Sequence, residues 1–175
     1  MLTSYYAKWS KVFTPGGISI SRTQRTYSHP IYAPLVPGAW SHYDLKPVDY
    51  VPCYQEQLDK LNAKTTWAEL QEMATGDAVR RFGLDAARAA RVEPVLLCWE
   101  TPGATSAAFC HRRLVAQWLQ AELGKIVPEG YVSSKGDRVI TPSFDTLCRI
   151  TEDGTFVRLD KETSLGQYTL SLFDF

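Results

Sequence analysis

Between Leu96 and Gln120 the chain reads LLCWETPGATSAAFCHRRLVAQWLQ, and its reactive groups fall in the middle of that stretch. Cys98 and Glu100 stand two positions apart, while Cys110, His111 and Arg112 stand side by side. A cysteine beside His and Arg at the start of a helix is expected to ionise readily, because positive charge and a helix N-terminus both favour the thiolate. Arg112 can grip a phosphate or carboxylate through two parallel N–H bonds. Glu100 can act as acid, base or nucleophile toward a bound sugar or base. The bland alternative is a pair of buried thiols that only pack. A third reading makes Cys98, Cys110 and His111 soft ligands for zinc or iron. Adjacent Cys110 and His111 are awkward as joint ligands, however, and no paired CxxC knuckles accompany them. No metal and no cofactor is therefore assigned.

Two elements must position these groups. Pro94 precedes VLLCW, an apolar run of the kind found in a strand buried on both faces. After Cys110, RLVAQWLQAEL places Leu114, Val115, Trp118 and Leu119 at the spacing of one buried helix face. In open α/β sheets ligands settle outside the carboxyl ends of the strands, where helix N-termini offer free N–H groups and a positive dipole. The reactive stretch is expected at such a strand-to-helix junction.

The totals bound the rest. A chain of 175 residues, 45% apolar and 22% charged, fits one globular domain with a substantial core. Lys plus Arg (19) balances Asp plus Glu (19), so any nucleic-acid contact must come from a local patch. No apolar run is long enough for a membrane span, and the N-terminus lacks a signal-like apolar stretch. The expectation is a cytoplasmic protein without membrane contact, its four cysteines reduced.

Short strands are expected at Thr3 to Ala7 and at Ile18 to Ser21, with Arg22 where the second ends. From Arg22 to Pro52 five prolines argue against long regular elements. That loop carries Trp40 and four tyrosines beside arginines and histidines. The mixture can stack a base and hold a phosphate, or it can simply cover the core. Helices are expected from Tyr54 to Leu61 and from Trp67 to about Phe82, with Thr66 and Glu69 as a capping box. The arginines of VRRFGLDAARAAR read as a solvated helix face or as phosphate contacts. Beyond Gly124, Asp153-Gly154 between LCRI and TFVRL signals a β-hairpin.

Three of these stretches also resemble the domain of unknown function 488 family. They are Tyr5-Tyr6-Ala7 with Ser19-Ile20-Ser21-Arg22 and the Ala33-Pro34…Trp40 loop, then Leu96-Leu97-Cys98-Trp99-Glu100, then Cys110-His111-Arg112-Arg113-Leu114-Val115-Ala116. The resemblance spans about residues 3–124. It implies a compact α/β fold and a pocket from Arg22, Cys98, Glu100, Cys110, His111 and Arg112, without an established reaction. Tyr6 and Trp40, which stand in its motifs, join Arg22 and Arg112 on the substrate side.

The chain ends QYTLSLFDF. Tyr168, Leu170 and Leu172 would share one face of a closing edge strand. Alternatively, Thr169-Leu170-Ser171-Leu172-Phe173 resembles the bacterial sliding-clamp-binding peptide, whose Leu170, Leu172 and Phe173 equivalents anchor in apolar pockets.

The fold expected is a compact, Rossmann-like α/β domain over residues 1–126, a mostly parallel sheet flanked by helices. A β-rich extension (127–166) packs on it, and 167–175 form a strand or clamp-binding tail. The function expected is an enzyme acting on a nucleotide or nucleic-acid component, at an N-glycosidic or phosphoester bond. Cys98, Glu100, Cys110 and His111 would carry the chemistry. The alternative is a non-catalytic binding or adaptor protein whose thiols are structural.

Overall fold

The computed structural model describes residues 1–9, 16–22, 29–41, 45–89, 92–99, 110–132, 138–141, 148–150 and 156–158. Its centre is a five-stranded sheet in the order β2-β3-β1-β4-β5. The strands are β1 (Leu2–Tyr5), β2 (Gly17–Ser19), β3 (Val95–Cys98), β4 (Glu129–Val132) and β5 (Arg138–Thr141). The first four in that order run parallel, and β5 joins antiparallel at one edge. Two further strands, β6 (Cys148–Ile150) and β7 (Phe156–Arg158), pair antiparallel across the Asp153-Gly154 segment as the hairpin signal requires. β4, which begins just past the boundary drawn at residue 127, pairs with β1 inside the main sheet.

β3 is central because Val95, Leu96, Leu97 and Cys98 are all buried, so both of its faces can be covered. Leu96 joins Ile18, Ile20 and the helices in the larger core, while Val95 and Leu97 join Leu2, Tyr6 and Trp9 in a second cluster. Neighbouring residues of one strand face opposite sides, so these clusters lie on opposite sheet faces. The free edge of β2 is partly covered: Ser19 N–H donates to Pro30 O and Tyr32 N–H donates to Ser19 O.

The α1 turn (Tyr6–Trp9) continues β1 directly. The helices α2 (Pro47–Asp59), α3 (Ala63–Phe82), α4 (Leu84–Ala89) and α5 (His111–Leu123) follow. α2 starts seven residues earlier than Tyr54, inside the proline-rich segment read as irregular. Pro47 sits in the first turn, where its fixed φ suits a helix and its missing N–H is no loss. Pro52 forfeits only the bond to Val48, a residue on the solvent side, where water can take the carbonyl. The capping box is also displaced. Asn62 is the N-cap of α3 and accepts from Thr65 N–H at 3.0 Å, while Thr66 is buried inside the helix. Glu69 accepts from the Tyr32 hydroxyl instead of reaching back. Gly83, at φ +83°, ends α3 and separates it from α4, splitting the basic helical stretch in two.

Candidate functional site

Register brings the motifs together. Tyr5 pairs with Cys98 and Ser19 with Leu97, so β1, β2 and β3 end at nearly the same level. The next residues in each strand (Tyr6, Ile20 to Arg22, and Trp99) therefore form one rim. The N-terminus of α5 enters that rim. Its first two turns, His111 to Ala116, are buried, which is unusual for a helix end bearing a histidine and two arginines.

Cys110 is the N-cap of α5, extended at φ −149° and ψ 133°, and makes no side-chain cap hydrogen bond among the described residues. His111 is the first helical residue. The backbone changes from extended to helical between them, which allows both side chains to turn toward Cys98. One donor atom from each of Cys98, Cys110 and His111 lies within 4.8 Å of the others, and all three residues are buried. Adjacency in sequence thus does not keep Cys110 and His111 apart. His111 Nε2–H donates to Ile20 O at 2.8 Å, which leaves Nδ1 as the lone-pair nitrogen, 3.7 Å from Cys98 Sγ. The Tyr54 ring meets the imidazole edge-on at 5.5 Å, and its hydroxyl donates to Leu35 O.

The expected readily ionised thiol is not what the fold makes of Cys110. Burial pushes its pKa well above the ordinary value, and a hydrogen bond with Cys98 adds to this; Arg112 and His111 pull the other way and lose. Cys110 is a neutral thiol in the free protein. Nor is Arg112 an exposed anion clamp. It is fully buried, and its guanidinium donates to Glu129 Oε1. Arg113 forks onto both oxygens of the same carboxylate, at 2.9 and 3.1 Å. Burial works against the charge of Arg112, but the hydrogen-bonded Glu129 carboxylate holds the guanidinium protonated. Two arginines thus share one carboxylate at the α5 N-terminus, next to the thiols.

The rim carries further polar groups. The Tyr6 hydroxyl hydrogen-bonds Ser19 Oγ, and burial pushes its pKa up to about 12, so it is a proton donor at neutral pH. Above Tyr6 lies Trp99, 44% exposed, with ring centroids 4.9 Å apart. Arg22 is exposed and donates to the carbonyl and hydroxyl of Ser41. Trp40 stands elsewhere: it packs on the core, edge-on to Tyr50 at 5.1 Å, the arrangement the covering role requires. Glu100 lies outside the described residues, as do Leu170, Leu172 and Phe173.

Glu129 is the residue that sequence reasoning missed. A single glutamate after Pro128 carries no signal of a partner, and only the β1–β4 pairing brings it under α5. Trp99 and Ser19 stood inside recognised motifs, but their roles depend on strand register.

His29 gives a prediction about pH. Burial lowers its pKa from 6.5, reinforced by Arg81, while Asp77 and a hydrogen bond with Gly17 act in the opposite sense. The unfolded chain then binds a proton that the folded one refuses, so this contribution is complete above pH ~6.5 and falls away as the pH drops toward the folded value. Urea midpoints measured from pH 7.5 to 5 should decline, and His29→Gln should flatten the decline. An unchanged slope in the variant would remove His29 from the account.

Comparison of the chain with protein-family models, with curated proteins and with solved structures finds no match.

Proposed function

We propose that the carboxyl edge of the parallel sheet is the reaction centre of a cytoplasmic, Rossmann-like enzyme acting on a nucleotide or nucleic-acid component. One observation carries the reading: Tyr6, Ser19, Cys98, Cys110 and His111, from three strand ends and one helix N-terminus, converge where open α/β folds bind ligands. Of the motifs that resemble the domain of unknown function 488 family, Tyr5-Tyr6, Ser19 to Arg22, Cys98 and Cys110-His111 meet at this rim, whereas Trp40 packs on the core. Trp99, exposed and backed by the buried Tyr6 ring, offers a stacking surface for a base. Arg22, exposed beside the rim, takes the phosphate-binding role in place of Arg112. Glu100, two residues past Cys98, is assigned acid or base duty toward an N-glycosidic or phosphoester bond. No helix among the described residues is long and apolar enough to cross a membrane.

The burial of both thiols, Cys98 at 2% and Cys110 at 1% exposure, favours a second reading. In it the protein is a non-catalytic adaptor, and the tail Leu170-Ser171-Leu172-Phe173 delivers it to a sliding clamp.

A thermal-shift series with nucleoside monophosphates, diphosphates and short single-stranded oligonucleotides separates the two. A phosphate-bearing ligand at 100 times its Kd should stabilise the wild type by about 2.7 kcal/mol. Trp99→Ala and Arg22→Ala should each lose most of that shift. If no ligand shifts the wild type, the adaptor reading replaces the enzyme.

A further inference from the structure

We infer that Cys98, Cys110 and His111 form a three-ligand site for a zinc-class divalent ion, leaving one coordination position for water or substrate. The inference concerns the same rim as the proposed function but does not depend on a nucleotide being its ligand.

Donor geometry is the first support. With metal–sulfur and metal–nitrogen bonds of about 2.3 and 2.0–2.1 Å, tetrahedral ligands stand about 3.6–3.8 Å apart. Cys98 Sγ and His111 Nδ1 are 3.7 Å apart, and all three donor atoms fit within 4.8 Å. The second support is orientation. A metal-bound histidine usually donates its other N–H to a carboxylate or backbone carbonyl, which fixes the ring and the tautomer. His111 does so already: Nε2–H is committed to Ile20 O, which leaves the Nδ1 lone pair for a metal, with Cys98 Sγ 3.7 Å from Nδ1 and 3.8 Å from Nε2. The Tyr54 ring holds the imidazole from its side.

Charge is the third support. Two thiolates and one neutral imidazole cancel a divalent ion, so the buried assembly carries no net charge. The two protons displaced from the thiols pass to the solvent. Cys2His with an open position is a donor set used by zinc for catalysis rather than for structure. In this assignment Cys110 is a ligand, not a nucleophile.

The test is titration of the reduced, chelator-treated full-length protein with Co²⁺. Sulfur-to-cobalt charge-transfer and tetrahedral ligand-field bands should grow to saturation at one equivalent and be displaced by Zn²⁺. Cys98→Ala should abolish the charge-transfer band, whereas Cys53→Ala should leave it intact. Because Cys98→Ala can unfold the protein, alkylation of the wild type provides a second arm. Zn²⁺ should protect Cys98 and Cys110 from labelling while Cys53 still reacts. Absence of a saturable thiolate–cobalt spectrum, or labelling that Zn²⁺ does not change, overturns the inference, as does a spectrum that survives Cys98→Ala in folded protein. Metal binding without any nucleotide shift would keep this site and remove the nucleotide reading; the reverse result would do the opposite.

Discussion

Replacing Glu129 by alanine is expected to cost about 3–5 kcal/mol, the range for breaking a buried ion pair from one side. The carboxylate is fully buried and is shared by two guanidiniums, themselves 0% and 3% exposed. Without it, the donors that Arg112 and Arg113 now give to the carboxylate lose that acceptor while both charges stay buried. Against a total stability of about 5–15 kcal/mol, that loss is a large fraction. The fault lies in the stranded charges, not in the loss of attraction alone. Replacing all three residues together, Arg112→Met, Arg113→Met and Glu129→Leu, should therefore restore much of the stability. Urea denaturation of the single and triple variants measures both effects. A loss below about 1 kcal/mol for Glu129→Ala would mean that water reaches the cluster and that the α5 N-terminus is not sealed.

The second large effect concerns Gly16, which sets where β2 begins and hence where Ser19 and Arg22 emerge. Its φ is +93°, and a Cβ built there would stand 2.2 Å from Glu93 O and 3.1 Å from a Val92 methyl. Its carbonyl accepts from Val95 N–H at 2.8 Å, tying β2 to β3. Alanine would combine backbone strain of about 1–3 kcal/mol with a clash against main chain that cannot swing aside. A destabilisation of about 3 kcal/mol or more is expected, with loss of ligand-induced shifts as β2 moves. The same substitution at Gly76, inside α3 with nothing within 4 Å of the added Cβ, should instead stabilise by about 0.5–1 kcal/mol. Thermal or chemical unfolding of the two variants side by side gives the comparison. Similar effects at the two glycines would show that the β2–β3 junction is looser than its hydrogen bond implies.

What could be read in advance depended on whether local pattern decided the outcome. The apolar run Val95–Cys98 and the Leu114, Val115, Trp118, Leu119 spacing each specify an element by themselves, and β3 and α5 stand where those patterns place them. The β6–β7 pairing follows from the Asp153-Gly154 signal in the same way. α2 escaped because Pro47 and Pro52 look like breakers unless one knows which turn and which face they occupy. Asn62 and Thr66 are both acceptable caps, and the choice between them fell to burial of Thr66.

For the site, residue types pointed to the right cluster, but their ionisation did not follow from sequence. Proximity to His111 and Arg112 argues for an activated thiol at Cys110; the depth of the α5 N-terminus argues against it, and depth is a tertiary property. Sequence alone points Arg112 at a ligand because its partner, Glu129, comes from a strand that only sheet topology brings beneath it.

The most direct test of the central claim is a map of where a ligand sits. Backbone amide chemical shifts of ¹⁵N-labelled protein should be followed during titration with the nucleotide that gives the largest thermal shift. The account predicts that perturbations concentrate at Ser19 to Arg22, at Cys98 and Trp99, and at Cys110 to Arg113, the three segments that meet at the sheet's carboxyl edge. Perturbations centred instead on the groove between α2 and α5, lined by Val51, Gln55, Leu114 and Trp118, would contradict it and move the functional surface to the helical face.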